Sequence, residues 1–219
     1  MTPEADPLPT LAPLNIACTT TDCDNNLHCF RRSRKKKKVQ GGLSGGTSGA
    51  CQACGEERVD WARVHQKNIA DIGYTVDSLR FEWIRNHFWD APLTEHAVNY
   101  ARRKGRVKLQ DTVSKRVVAA VGGASATLYR DGMQTPTKDL VNPIHAAQHA
   151  MAVCCRKCIE YWHGIPQDRD LSAQETKYLT QLLVHYLDRK LPDLLDSPQK
   201  VASIPKGHRL SGSKRQREE

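Results

Sequence analysis

Apolar residues recur along most of this chain at helical rather than strand spacing. Val76, Leu79, Trp83 and His87 follow an i, i+3, i+4 pattern that predicts a helix over about 76–89, with Thr75 as its candidate cap. Pro92 ends that stretch. Thr94 and Glu95 open another, in which Ala97, Val98 and Ala101 share a face until Gly105 interrupts it. Leu109, Val113, Val117 and Val121 continue the period and stop at Gly122-Gly123, and residues 124–141 read as a loop with turns at Asp131-Gly132 and Thr135-Pro136. Asn142-Pro143 then makes a cap and first turn for the run IHAAQHAMAVCCRKCIEYW, which has no Gly or Pro before Gly164 and predicts one helix of about five turns. A capping box from Ser172 to Glu175 opens the last helix, with Leu179, Leu182, Leu183, Tyr186 and Leu187 on one face and an end before Pro192. No internal repeat and no parallel-sheet pattern is present, so the expected fold class is mainly α.

The rest of the chain does not share this pattern. A hydrophobic fraction of 39% with 6% aromatics lies somewhat below globular averages, which implies unpacked segments. Residues 1–14 are expected to be a disordered lead, residues 15–60 a cysteine-rich module with a basic flexible insert over 31–50, residues 61–196 a helical domain, and residues 197–219 a basic disordered tail. No stretch approaches the roughly 20 apolar residues that cross a bilayer, and the start, MTPEADPLPTLAP, resembles neither a signal peptide nor an anchor. The expectation is a soluble cytoplasmic protein without a membrane partner. In that reducing setting its eight cysteines read as metal ligands or redox groups rather than disulfides.

Five of these thiols, Cys18, Cys23, Cys29, Cys51 and Cys54, precede the helical region, and the last two form CQACG. A C-x2-C-G turn aims two thiolates at one ion, because the Gly admits the backbone conformation that points amides at sulfur. The partner pair is open between Cys18 with Cys23 and Cys23 with Cys29, and His28 can replace a sulfur. A small zinc-ribbon or treble-clef-like module follows, structural in role because so short and Gly-rich a segment cannot fold on core burial alone.

The second group reads H-x3-H-x4-CC-x2-C-x4-H from His145 to His163. On an unbroken helix Cys154, Cys155 and Cys158 occupy an arc of about 100°, close enough to share an ion, with Arg156 and Lys157 beside them to favour thiolate. His149 and His163 would stand roughly 21 Å apart on such a helix, so one binds elsewhere or the helix breaks. Taken singly, Tyr161 and Trp162 read as core, and His163 as a residue that caps carbonyls.

DGMQTP, AQHAMAVCCRKCIEYWHGIP and the helix after them, residues 129–195, resemble a widespread bacterial domain of unknown function. The resemblance implies a common site built on Asp131, Gly132, Gln134, Thr135, Pro136, Gln148, His149, Cys154, Cys155, Arg156, Cys158, Trp162, His163 and Gly164. His145 stands where the family usually has an apolar residue, which weakens a His145/His149 pair. No established activity comes with the family.

Charge adds one more candidate. Of the net +9, +7 comes from Arg31, Arg32, Arg34, Lys35, Lys36, Lys37 and Lys38, so this run is the expected nucleic-acid contact and the body is near neutral. The sequence therefore predicts a metal-binding protein, with zinc ahead of an iron-sulfur cluster. Its rivals are a metal-dependent enzyme, with Asp131 or Glu160 carrying protons, and a redox protein. The DGMQTP loop is expected to pack beside His149, with His149, Cys155, Cys158 and His163 as ligands and Cys154 as the alternate.

Overall fold

A computed structural model of the chain describes residues 20–30, 49–137 and 141–202. The lead, the insert between residues 31 and 48, and the tail from 203 lie outside the described residues. So do Cys18 and the basic run Arg31, Arg32, Arg34 and Lys35 to Lys38.

The described residues form helices and no strand. They are α1 (Trp61–His65), α2 (Ile72–Leu79), α3 (Trp83–Asp90), α4 (Glu95–Val121), α5 (Pro143–Ala150), α6 (Arg156–His163) and α7 (Ala173–Lys190). α5 lies at the centre, packed on α3, α4 and α7, and α1 packs on α6. Leu79, Val113, Val117, Ile144, Trp162 and Leu179 meet in one core. No described helix is long and apolar enough to cross a membrane.

Two predicted helices are each broken in the structure, and both breaks shape the functional region. The helix expected over 76–89 becomes α2 and α3, separated at Arg80, Phe81 and Glu82. The Phe81 carbonyl accepts from the His28 amide at 2.7 Å and the Trp83 amide donates to the His28 carbonyl at 3.0 Å, so this backbone pairs with the cysteine-rich module instead of its own turn. Thr75 is no cap, since it lies buried inside α2.

The five-turn helix expected from residue 143 is α5 and α6 with a turn at 151–155, where Ala152 takes a left-handed φ of 55°. Side chains hold that turn. Gln148 donates from Nε2 to the Val153 carbonyl at 3.2 Å, Asp131 accepts from the Arg156 amide at 3.0 Å, and the Cys155 sulfur caps the Cys158 amide at 3.4 Å. Local donors and acceptors thus outcompete the helical ladder.

Other boundaries follow the sequence. Thr94, Asn142 and Ser172 each cap a helix with the side chain, and Ser172 with Glu175 forms the full capping box. Gly105 kinks α4 at φ 72°, where a Cβ would stand 2.5 Å from the Asp196 carbonyl oxygen of the chain crossing over it. Residues 20–30 and 49–60 rest on this body, with the Phe30 ring edge-on to Trp61 at 5.8 Å and to Trp162 at 6.0 Å.

Candidate metal centres

The first centre is built from two turns. Around Cys23 the chain reverses through a 3-10 turn whose αL residue, Asn26, lets Asp22 and Leu27 pair. Around Cys51 it reverses again: the Cys51 amide donates to the Glu56 carbonyl and the Gly55 amide to the Cys51 carbonyl, both at 2.9 Å, with Gly55 at φ 79°. A bond from the Gln52 amide to the Cys29 carbonyl ties the two turns together.

This folding gathers donor atoms of Cys23, His28, Cys51 and Cys54 within 4.8 Å of one another. The Cys23 and Cys51 sulfurs are 3.8 Å apart, and His28 Nδ1 lies 3.6 Å from the Cys54 sulfur. A tetrahedral ion with metal–sulfur bonds of about 2.3 Å needs edges of roughly 3.8 Å, so the spacing fits. His28 Nε2 is held by Asn26 Oδ1 at 3.1 Å with Glu56 3.8 Å away, which fixes Nε2 as donor and leaves Nδ1 as the metal-facing lone pair. Burial opposes the Cys51 thiolate, but amides around it and the His28 ring outweigh that, holding the thiol at about 6. Partial burial, then the neighbouring sulfurs of Cys54 and Cys51, push Cys23 up to about 12, as expected when several thiols share one site without their cation.

Cys29 does not join this group. It is buried, and its carbonyl serves the inter-turn bond while the next-door imidazole of His28 supplies the fourth donor.

The second centre lies at the start of α6. The sulfurs of Cys154, Cys155 and Cys158 stand within 4.8 Å of one another. His149 and His163, expected as ligands, face other partners. His149 Nε2 donates to the carbonyls of Thr135 at 3.2 Å and Pro136 at 3.1 Å, and its ring stacks on Phe88 at 4.6 Å. His163 Nε2 donates to the Met151 carbonyl at 3.0 Å, while Nδ1 accepts from the Tyr178 hydroxyl at 3.3 Å. Burial drives both rings down to about 4, so each is a neutral strut within the fold.

The cation beside the sulfurs is Arg85, not Arg156 or Lys157. Arg85 donates to the Cys158 sulfur at 3.2 Å and stands 3.8 Å from that of Cys154. Arg156 turns away, donating to the carbonyls of Val121, Pro166 and Arg169. Lys157 is exposed. Donation from Cys154 and Cys155, then Arg85, holds the Cys158 thiol well below its ordinary value against burial, whereas hydrogen bonds to the other two sulfurs push Cys154 well above it.

The DGMQTP loop closes over this centre. Asp131 caps α6 and accepts from the Ser125 hydroxyl, Gly132 lies where a Cβ would come 3.1 Å from that of Cys155, and Gln134 gives its carbonyl to Arg116. Arg116 also reaches Gln148 of AQHA at 3.3 Å. In WHGI, Gly164 ends α6 at φ 62°, and a Cβ there would come within 2.9 Å of the His65 ring. The chain belongs to the family described as Domain of unknown function (DUF4186). The family match covers residues 73–188, starting well before the motif-bearing stretch at 129 and ending short of 195. No solved structure matches the chain. The DUF4186 span therefore contains the whole second centre with its partner Arg85 and with Glu82, whose Oε2 accepts from Arg85 Nε at 2.9 Å, while all four donors of the first centre precede it.

Arg85 and Glu82 escaped sequence reading. No signal in the sequence marks them: on the unbroken helix expected over 76–89, Leu79, Glu82, Arg85 and Phe88 would spread over half the circumference, and all four are buried only because the chain breaks between α2 and α3.

Proposed function

We propose that this protein is a zinc-binding protein with two centres of different character: a closed structural site at Cys23, His28, Cys51 and Cys54, and a ligand-exchanging site at Cys154, Cys155 and Cys158. The observation that carries the second half is the trio of sulfurs within 4.8 Å beside the buried Arg85. Among the described residues no fourth Cys, His, Asp or Glu donor joins that trio, which is the pattern of a site whose last position takes water or an incoming ligand. Mixed thiolate and imidazole donors at the first centre and thiolates at the second suit zinc, a borderline-soft ion. Three thiolates around a divalent cation leave one net negative charge, and the Arg85 guanidinium offsets it. Zinc there would supply Lewis acidity; the chain's own part is to fix the three sulfurs through the Cys155 cap, the Asp131 cap and Arg85.

Elemental analysis of the purified chain tests the reading. Two zinc ions per chain are expected, falling to one in Cys51→Ser and to one in Cys158→Ser, from a colourless protein. A brown protein with iron and labile sulfide would replace zinc by a cluster. A dithiol redox reading has one observation in its favour, the Arg85 contact that stabilises a Cys158 thiolate next to Cys155 at a helix start. It predicts that mild oxidation removes two thiols per chain in a protein carrying metal only at the first centre.

A further inference from the structure

The two centres meet at one pair of buried charges. The His28 backbone is clamped between Phe81 and Trp83, and its partner across the bridge is Glu82. Glu82 is 2% exposed. Its Oε2 accepts from Arg85 Nε at 2.9 Å and from Trp162 Nε1 at 2.6 Å. The other nitrogens of the same guanidinium reach the His149 carbonyl at 2.7 Å and the sulfurs of Cys154 and Cys158. A path of short polar contacts thus runs from a ligand of the first centre to two sulfurs of the second, through three residues of backbone and two side chains.

We propose that Glu82 and Arg85 are positioning residues that couple the centres, so that an ion in the first centre tightens metal binding at Cys154, Cys155 and Cys158. The proposal rests on the reading that both centres hold metal. An ion on His28 Nδ1 fixes the imidazole and the main chain behind it. That main chain sets the height of Glu82 through the bonds on either side, and Glu82 in turn orients Arg85. Charge-assisted N–H···S contacts depend on this placement, because the hydrogen bond that adds to the charge attraction forms only at short distance and in good alignment. Without the first ion the module around His28 loses its main source of order, and Arg85 loses its orientation toward the sulfurs. A buried ion pair contributes little net stability. Its position against the sulfurs is better explained by what it does to the thiolates.

Cobalt titration of the full chain, stripped of metal under reductant and followed by sulfur-to-cobalt charge-transfer absorption, decides the matter. Cys158→Ser reports the first centre alone, Cys54→Ser the second alone, and the native chain both. Coupling makes the native product of binding constants exceed the product of the two single-centre constants by at least fivefold, the lower edge of ordinary allosteric coupling. In Glu82→Gln, which keeps the shape but not the charge, the excess shrinks to within twofold of unity; Arg85→Lys serves as a second probe, expected to lose the excess in the same way. A native chain whose constants multiply to the single-centre product overturns the coupling while leaving two metal centres standing. Absence of charge-transfer absorption in Cys54→Ser, with a normal signal in Cys158→Ser, overturns both the coupling and the second metal centre.

Discussion

The two cysteine centres reach similar sulfur spacing by opposite means. The first draws its donors from two short turns with little core of their own, so on the proposed reading its geometry depends on the ion that the donors would share. The second is framed by buried side chains: Asp131 and Cys155 cap its helix, Arg85 faces its sulfurs, and His149 and His163 brace the surrounding turns through main-chain carbonyls. A metal site can thus be the cause of local folding or its product, and the surrounding hydrogen bonds tell which.

The sharpest way to break this contrast is to remove the metal. Loss of the first ion by Cys51→Ser or by chelation should abolish amide-exchange protection in residues 20–30 and 49–56, since a structural zinc contributes on the order of 10 kcal/mol to folding such a segment. The helical circular dichroism should change little. Protection surviving in the turns would make the two centres alike. Next in size is Arg85→Met, which leaves Glu82 buried without its cation and should cost about 3–5 kcal/mol in urea unfolding, most of it recovered when Glu82→Met is added.

A smaller effect comes from acid. His149 and His163 have values of about 4 in the fold against about 6.5 unfolded, so the unfolded chain binds more protons between those limits. Their contribution is complete above pH 6.5 and is lost as pH falls toward 4, by up to about 3 kcal/mol for each ring. Urea midpoints of the metal-free chain should show this slope, and His163→Gln should flatten it. Smallest is the effect on nucleic acid. The basic run sits between His28 and Cys51, inside the first centre's sequence. Replacing Lys35 to Lys38 with Gln should lower affinity for a random oligonucleotide severalfold and flatten its salt dependence, and Cys54→Ser should weaken binding more than Cys158→Ser. An unchanged salt slope would remove nucleic acid from the comparison.

Much of the framework was legible in the sequence. Caps at Thr94, Asn142 and Ser172, the interruption at Gly105 and the stop at Gly122 are local events, decided by side chains and backbone within a few residues. A break between His149 and His163 is one of the two alternatives that their spacing leaves open, but its place at Ala152, like the break at Phe81, was not legible, because the groups that draw the backbone away, Asp131 and His28, lie far along the chain. The candidate site divides the same way. Clustered sulfurs could be read from spacing, and His28 was already an alternative donor. His149 and His163 face main-chain carbonyls, and spacing does not reveal this because a histidine's partners are set by which carbonyls fold against it. The cation was sought next door in Arg156, whereas the fold supplies it from a helix about 70 residues upstream.

Phe30 and Trp61 lean on Trp162, a residue of the family span, from outside that span. A fragment cut at residue 73 would lose both rings and uncover a broad aromatic face on α6, together with the underside of Glu82. Such a piece would self-associate at the concentrations used for spectroscopy. The boundary at which this sequence can be recognised is therefore not the boundary at which the protein can be divided, and a well-behaved unit must keep Phe30 and Trp61.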